Sequence, residues 1–174
     1  MYTTHYSNPG SLVPIDLSII STAKKSLDVA AYTLVDAEIV QAILAAAQRG
    51  VLVRLYVDRT ELEAEAHGDA TLNGKPLAAL LNLPALSIKV KESSILMHLK
   101  SYCVDGTVLR SGSTNFSPLG ESEQDNDLIL TDDPAAVALF KAKFEAMWAR
   151  PDNLSIAQAV ARPAGYVAKP HRSL

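Results

Sequence analysis

Residues 97–115 read MHLKSYCVDGTVLRSGSTN, and the rest of the chain is interpreted from this stretch outward. At its centre lies Asp105-Gly106, a dipeptide that strongly favours a tight turn between two antiparallel strands. The stretch therefore predicts a β-hairpin with strands over Leu99 to Val104 and Thr107 to Ser111.

The polar residues of this hairpin are expected to gather on one side. His98 and Lys100 are two residues apart, so on a strand their side chains share a face. Asn115 follows the second strand, where the chain can return beside them. Cys103 is one position out of phase, so it is expected to point to the opposite face and to belong to the core.

The flanking segments predict an α/β fold with a mixed central β-sheet flanked by helices. Apolar residues recur at helical spacing from Pro14 to Lys25, and Asp36 and Gly50 are suitable ends for a second helix. The order helix, strand, helix, strand indicates that the first strands are parallel. The predicted elements are helices over 14–25, 37–49 and 134–150, and strands over 27–32, 51–57 and 127–131.

The remaining segments carry weaker patterns. Residues 58–74 predict a loop, 77–83 a short helix, and 87–91 an edge strand. We expect residues 1–150 to form a single domain. Residues 151–174 predict a C-terminal extension that is loosely ordered, with a helical turn or two near 154–160.

The composition is that of a folded globular protein. Of 174 residues, 48% are hydrophobic and 20% are charged, and the net charge of −3 excludes a generally basic, polyanion-binding surface. One cysteine excludes an internal disulfide and a cysteine-rich metal site. No apolar run reaches the length of a membrane span, and no stable membrane insertion is expected. The start lacks a signal-peptide pattern, so the compartment stays open: periplasmic or secreted if a leader has been removed, and cytoplasmic otherwise.

The polar residues of the hairpin suit chemistry at a phosphoryl group. A histidine can act as a nucleophile in one step and as a proton donor in another. A lysine adds a positive charge, and an asparagine amide adds neutral hydrogen-bond donors. No acidic cage for a metal accompanies them, which predicts catalysis without a metal or another cofactor.

His98, Lys100 and Asp105 have the spacing H-x-K-x-x-x-x-D, followed by Gly112-Ser113-x-Asn115. This constellation resembles the signature of the phospholipase D superfamily. Residues 27–32, 48–51 and 124–127 also resemble segments of its small members, and the resemblance covers roughly residues 18–150. It is closest to the small single-motif bacterial endonucleases, with a related member at the mitochondrial surface.

The resemblance implies a role for each motif residue. His98 would attack phosphorus and form a phosphohistidine. Lys100 and Asn115 would hold the phosphate oxygens with Ser113 nearby. Asp125 lies where the family often places a glutamate that orients the histidine. Asp105 belongs to the motif, but its place at the hairpin predicts a structural role in the turn.

The same resemblance implies a homodimer. Family members with two motifs in one chain use one histidine as the nucleophile and the other as the acid. This chain has one motif and no internal repeat, so a second copy is expected to supply the second histidine.

Several alternatives stay open from the sequence. The substrate is expected to be nucleic acid (DNA or RNA), with a lipid headgroup as the second choice and a non-catalytic nucleic-acid-binding module as a different class. A serine-hydrolase interpretation with Ser113 lacks a G-x-S-x-G elbow and is disfavoured. Four further residues are candidates for the substrate groove: Tyr32, Lys89, Lys91 and Arg110.

Overall fold

The computed structural model describes residues 1–60, 85–93 and 95–161 of the chain. The strands are β1 (Tyr2–Tyr6), β2 (Ser26–Ala31), β3 (Leu52–Val57), β4 (Leu86–Val90), β5 (Lys100–Val104), β6 (Val108–Gly112) and β7 (Asp127–Thr131). The helices are α1 (Val13–Ser21), α2 (Ala37–Gln48), α3 (Pro118–Ser122), α4 (Pro134–Trp148) and α5 (Ile156–Val160). The helix predicted over 77–83 and most of the loop predicted over 58–74 lie outside the described residues.

The strands form one mixed sheet of seven in the order β1-β7-β6-β5-β2-β3-β4. β2, β3 and β4 run parallel, and the other neighbouring pairs are antiparallel. The predicted α/β fold, the parallel first strands and the hairpin of β5 and β6 are therefore confirmed. β4 is an edge strand, as its alternating pattern predicted.

Helices cover both faces of the sheet. On one face, Ile20 of α1 and Ile39 of α2 pack with apolar residues of β2, β3 and β5. On the other face, Phe140 and Phe144 of α4 pack with a cluster that includes Cys103. Cys103 is buried there, so its predicted place in the core is confirmed.

The helix ends follow from local chemistry. The Asp36 carboxylate accepts hydrogen bonds from two backbone N–H groups at the start of α2, and Asp133 accepts one at the start of α4. Gly50 has φ +86°, a left-handed conformation that ends α2 at little steric cost. α1 ends at Ser21 rather than at Lys25: the Thr22 and Ala23 N–H groups donate to the Ile19 and Ile20 carbonyls in a tighter last turn, and the Lys24 and Lys25 N–H groups donate to Asp105.

Two parts of the sequence-based picture need correction. β1 was not predicted, yet it pairs with β7 from Tyr2 to Tyr6. The segment after residue 150 is not loose where the structure describes it: Leu154 exchanges backbone hydrogen bonds with Val90, and Ile156 is buried. Leu154 and Ile156 thus pack on the domain, and the division of the chain at residue 150 stays a prediction.

Candidate functional site

His98 and Lys100 lie together where β5 begins. His98 precedes the strand and is exposed, whereas Lys100 is its first residue and is 6% exposed. The Lys100 Nζ lies 3.1 Å from Nδ1 and 3.2 Å from Nε2 of the His98 ring, and donates to the His98 carbonyl at 3.0 Å. The predicted pairing of the two side chains is present.

Tyr32 supports both side chains from the end of β2. Its ring centroid lies 4.5 Å from that of His98, and Lys100 Nζ lies 4.9 Å from the Tyr32 centroid. The Tyr32 N–H donates to the Leu99 carbonyl at 2.9 Å, which ties the two backbones together. Tyr32 is therefore part of the site, packed against the histidine.

The segment just before the histidine is held from two sides. The Met97 N–H donates to the buried Asp58 carboxylate at 2.6 Å. The Lys91 ammonium donates to the carbonyls of Ile95 and Leu96. Lys91 is 9% exposed, and burial lowers its pKa. The prediction that Lys91 lines an open groove is therefore wrong, since it holds this segment from beneath.

Gly112 brings the second half of the motif against β7. Its φ is +141°, and a Cβ at this position would lie 2.3 Å from the Asp127 carbonyl oxygen. The Ser113 N–H donates to the Asp127 carboxylate at 2.9 Å, and the Asp127 N–H donates to Ser113 Oγ at 2.9 Å. Hydrogen bonding to Ser113 lowers the pKa of Asp127. Asp127 is thus a carboxylate of the site that the sequence did not single out.

The Asn115 side chain has a buried amide oxygen that accepts no hydrogen bond within the described residues. The residue is half-buried, and its Oδ1 is buried without a hydrogen-bond partner in the described structure. A buried polar atom without a partner is uncommon in folded proteins, and this amide oxygen is free to accept a hydrogen bond from a ligand. The β5–β6 register supports its place: Ser101 Oγ lies 3.0 Å from Ser111 Oγ, so the start of β5 and the end of β6 share one edge of the sheet.

Arg110 lies beneath this edge. Its side chain is fully buried and donates to Asp16 through Nε and Nη2 at 3.0 and 2.9 Å, and to Glu121 at 3.4 Å. Tyr102 also donates to Asp16, at 2.7 Å. The prediction that Arg110 lines the substrate groove is wrong, because both of its acidic neighbours and the core enclose it.

The Arg110 guanidinium also joins the two halves of the motif. Nη1 donates to the carbonyls of Lys100 at 2.8 Å and of Thr114 at 3.2 Å. One carbonyl is that of Lys100 itself, and the other is that of Thr114, the residue before Asn115. Arg110 therefore fixes the separation between the strand that bears Lys100 and the loop that bears Asn115.

Lys89 and Asp125 have partners other than His98. Lys89 Nζ donates to the Trp148 carbonyl at 2.7 Å and lies 4.9 Å from a Trp148 ring centroid, and its place in a substrate groove stays a prediction. The exposed Asp125 carboxylate accepts a hydrogen bond from Asn8 Nδ2 at 3.3 Å. Within the described part of one chain it makes no hydrogen bond to His98, and its orienting role stays a prediction.

Asp105 has the structural role that its hairpin position predicted. Its carboxylate accepts the N–H groups of Lys24, Lys25 and Ser26 at distances from 2.7 to 3.2 Å. Burial alone would raise the pKa of Asp105, but these three donors and the Lys25 charge outweigh it and lower the pKa. The residue anchors the hairpin to the turn between α1 and β2.

Two features are absent from the described ranges. Among residues 1–60, 85–93 and 95–161, no three His, Cys, Asp or Glu side chains are grouped so that they could hold a metal ion. In the same part of the chain, no helix combines the length and apolar character needed to cross a membrane.

Comparisons with known proteins agree with this geometry. A family model described as "Cardiolipin synthase, PLD-like domain" matches residues 17–148. Mitochondrial cardiolipin hydrolase of Danio rerio is 30% identical over 141 residues, which are 80% of this chain and 58% of the relative. The Xenopus tropicalis protein of that name is 27% identical over 139 residues, 80% of this chain and 62% of the relative. The chain thus spans less than two thirds of the length of these relatives.

Two solved structures share the fold. NucT from Helicobacter pylori superposes with a TM-score of 0.70 at 20% identity, covering 85% of this chain and 96% of NucT. Nuc from Salmonella typhimurium, a phospholipase D family member, superposes with a TM-score of 0.67 at 24% identity, covering 88% of this chain and 97% of Nuc. Both chains correspond to a single unit of the size described here.

Proposed function

The chain belongs to the phospholipase D superfamily, and from this premise we propose that it is a metal-independent phosphodiesterase acting on nucleic acid. The observation that carries the proposal is the contact between exposed His98 and buried Lys100, whose Nζ lies within 3.2 Å of both ring nitrogens. Asn115 directly follows Thr114, whose carbonyl shares Arg110 Nη1 with the Lys100 carbonyl, and its amide can donate to a phosphate oxygen through Nδ2.

The proposed reaction has two steps. A His98 ring nitrogen attacks phosphorus, the P–N bond forms, and the P–O bond to the leaving group breaks. The leaving oxygen takes a proton from a second histidine. Water then attacks the phosphohistidine and gives a proton to that second histidine, the P–N bond breaks, and both rings return to their starting state.

Lys100 and Asn115 stabilise the charge that develops on the phosphate oxygens. Lys100 is held in place before substrate arrives, by its bond to the His98 carbonyl and its position over Tyr32. Donors that are fixed in advance need no reorganisation during the reaction, which is the main source of electrostatic catalysis.

The second histidine is proposed to come from a second copy of the chain. The sequence carries one motif, and His98 is exposed, so another protomer can approach its ring. A two-fold axis through the site would place two His98 side chains on opposite sides of one phosphate.

Nucleic acid is the preferred substrate because of the chain's size, its single motif and its resemblance to the small endonucleases of the family. A lipid is the second candidate, and one observation favours it. Ile95 and Leu96 are 55% and 45% exposed just ahead of His98, which gives the site an apolar rim. The relatives named cardiolipin hydrolase point the same way.

The test compares wild type, His98→Ala and His5→Ala on bis(p-nitrophenyl) phosphate, with and without EDTA. We expect His98→Ala to lose at least about a thousandfold in activity, since the nucleophile is removed. His5→Ala, a histidine change on β1, should keep wild-type activity. Activity that survives in His98→Ala, or a wild type that EDTA inactivates, would contradict the proposed mechanism.

The same proteins then distinguish the substrates. Single-stranded DNA, duplex DNA, RNA and vesicles of phosphatidylcholine or cardiolipin are offered side by side. Cleavage of an oligonucleotide that depends on His98 supports the proposal. Hydrolysis of the lipids alone would replace it with the second candidate, and activity on none of them would leave a non-catalytic role.

A further inference from the structure

We propose that Tyr6, Asn8 and Asp125 form a subsite that binds the base of a nucleotide whose phosphate lies at His98. The inference deepens the proposed function and rests on it. It starts from a depression lined by residues 6–8, Ser113 and residues 125–127. Ser113 belongs to the motif and lies two residues before Asn115, so the depression adjoins the loop that carries Asn115.

The walls of this depression are well fixed. Ser7 is buried, its N–H donates to the Asn126 carbonyl at 3.0 Å, and its hydroxyl donates to the Gln124 carbonyl at 2.5 Å. The Asn126 N–H donates to Ser7 Oγ at 3.0 Å. These bonds join the end of β1 to the loop before β7, so the side chains on either side of Ser7 are presented on a rigid backbone.

Tyr6 offers an aromatic face. Its side chain is 72% exposed, although a tyrosine usually buries much of its ring. An exposed ring beside a site for a phosphodiester can stack a base, and such stacking is tolerant of sequence because every base has a π-face.

The polar groups of the subsite suit a base better than a phosphate. Asp125 is exposed, and its Oδ1 accepts one hydrogen bond, from Asn8. A carboxylate can accept from the N–H groups of a base and repels a phosphate. The Asp125 carboxylate and the Lys100 ammonium therefore favour one orientation of the bound nucleotide, with its base at Tyr6 and its phosphate at Lys100.

The chain contains a matched control for Tyr6. Tyr2 lies on the same strand four residues earlier, on the same face, and is 71% exposed. The two rings are separated by about 13 Å along the strand. Tyr2→Ala therefore removes an equally exposed tyrosine side chain at a position away from the depression.

The experiment measures oligonucleotide binding in a His98→Ala background, which prevents cleavage. The ligands are fluorescein-labelled dT10 and an abasic strand with the same number of phosphates. We expect dT10 to bind about tenfold more tightly than the abasic strand. Tyr6→Ala should abolish this difference, and Tyr2→Ala and Tyr6→Phe should preserve it.

Two results would overturn the subsite: equal binding of both strands before any tyrosine is changed, or equal losses in Tyr2→Ala and Tyr6→Ala. Unfolding midpoints of the two variants exclude a folding defect specific to Tyr6→Ala. If wild type cleaves DNA while Tyr6→Ala has no effect, the subsite fails and the proposed function stands. If wild type cleaves no oligonucleotide, both fail.

Discussion

At the scale of single residues, Gly112 shows why the motif contains a glycine. The backbone of the motif passes so close to β7 that a Cβ on Gly112 would meet the Asp127 carbonyl at 2.3 Å. The same approach lets the Ser113 N–H reach the Asp127 carboxylate. The glycine therefore determines where the loop with Ser113 and Asn115 lies.

Gly112→Ala is expected to destabilise the protein by roughly 3 kcal/mol, because a left-handed backbone conformation and a backbone clash both oppose the new methyl group. Chemical denaturation measures the loss. Gly10→Ala is the matched control: Gly10 has φ +128° and nothing within 4 Å of the new Cβ, so it reports the conformational cost alone. Equal losses in the two variants would show that the close approach to Asp127 does not matter.

The sequence predicted the residues of the site whose roles depend on near neighbours. His98 and Lys100 are two residues apart, and Asp105 lies at its own turn, so local spacing was sufficient. Arg110 was misread because a charged residue on a strand usually faces solvent, and its main partner Asp16 is 94 residues away in the chain. Lys91 was misread although its partners are near in the chain, because its ammonium is buried against the Ile95 and Leu96 carbonyls.

At the scale of elements, four pieces of the fold meet at the buried Arg110 group. Asp16 comes from α1, Tyr102 from β5, Arg110 from β6 and Glu121 from α3. Burial, followed by the nearby Asp16 carboxylate, raises the pKa of Glu121 to about 9. Folded Glu121 therefore holds a proton at neutral pH.

This arrangement predicts a pH-dependent stability. An unfolded glutamate releases its proton near pH 4.5, whereas folded Glu121 keeps it to about pH 9. Its contribution is fully present below pH 4.5 and is lost as the pH rises toward 9, with a slope of up to about 1.4 kcal/mol per pH unit. Glu121→Gln should remove this slope in denaturation curves recorded from pH 5 to 9.

Glu123→Gln is the control, since Glu123 is exposed two residues later. It should leave the slope as in wild type. A slope that is unchanged in Glu121→Gln would mean that Glu121 is ionised in the native protein at neutral pH.

Elements with a strong periodic pattern were predicted within a few residues, among them β3, β7, α2 and α4. β1 was missed because a short polar strand at a chain end carries little apolar signal, and its pairing with β7 connects residues more than a hundred positions apart. α3 was missed because Pro118–Ser122 is too short to show a helical period. The packing of residues 151–161 depends on a bridge from Leu154 to Val90 that no local pattern encodes.

At the scale of the whole molecule, each chain is proposed to carry half of a catalytic site. This predicts a particular result when wild type is refolded together with the inactive His98→Ala protein in equal amounts. Random pairing leaves about a quarter of the dimers with two His98 side chains, so activity per total chain should fall to about one quarter of wild type. Activity on bis(p-nitrophenyl) phosphate provides the measurement.

A mixture of wild type with His5→Ala should keep full activity. A value near one half with His98→Ala would indicate that each chain works alone. Sedimentation of the same mixtures must show a dimer, and a fully active monomer would refute the shared site.

The anchoring of Asp105 gives the spacing of the motif a geometric meaning. Lys100 and Asp105 lie at opposite ends of β5, about 17 Å apart. Asp105 is fixed to the turn before β2, and Lys100 is fixed beside Tyr32 at the end of β2. The residues between them span the length of β2, the neighbouring strand. One residue more or fewer would turn the lysine toward α4. The number of residues in the interval therefore sets both the face on which Lys100 lies and its distance from Asp105 along β5.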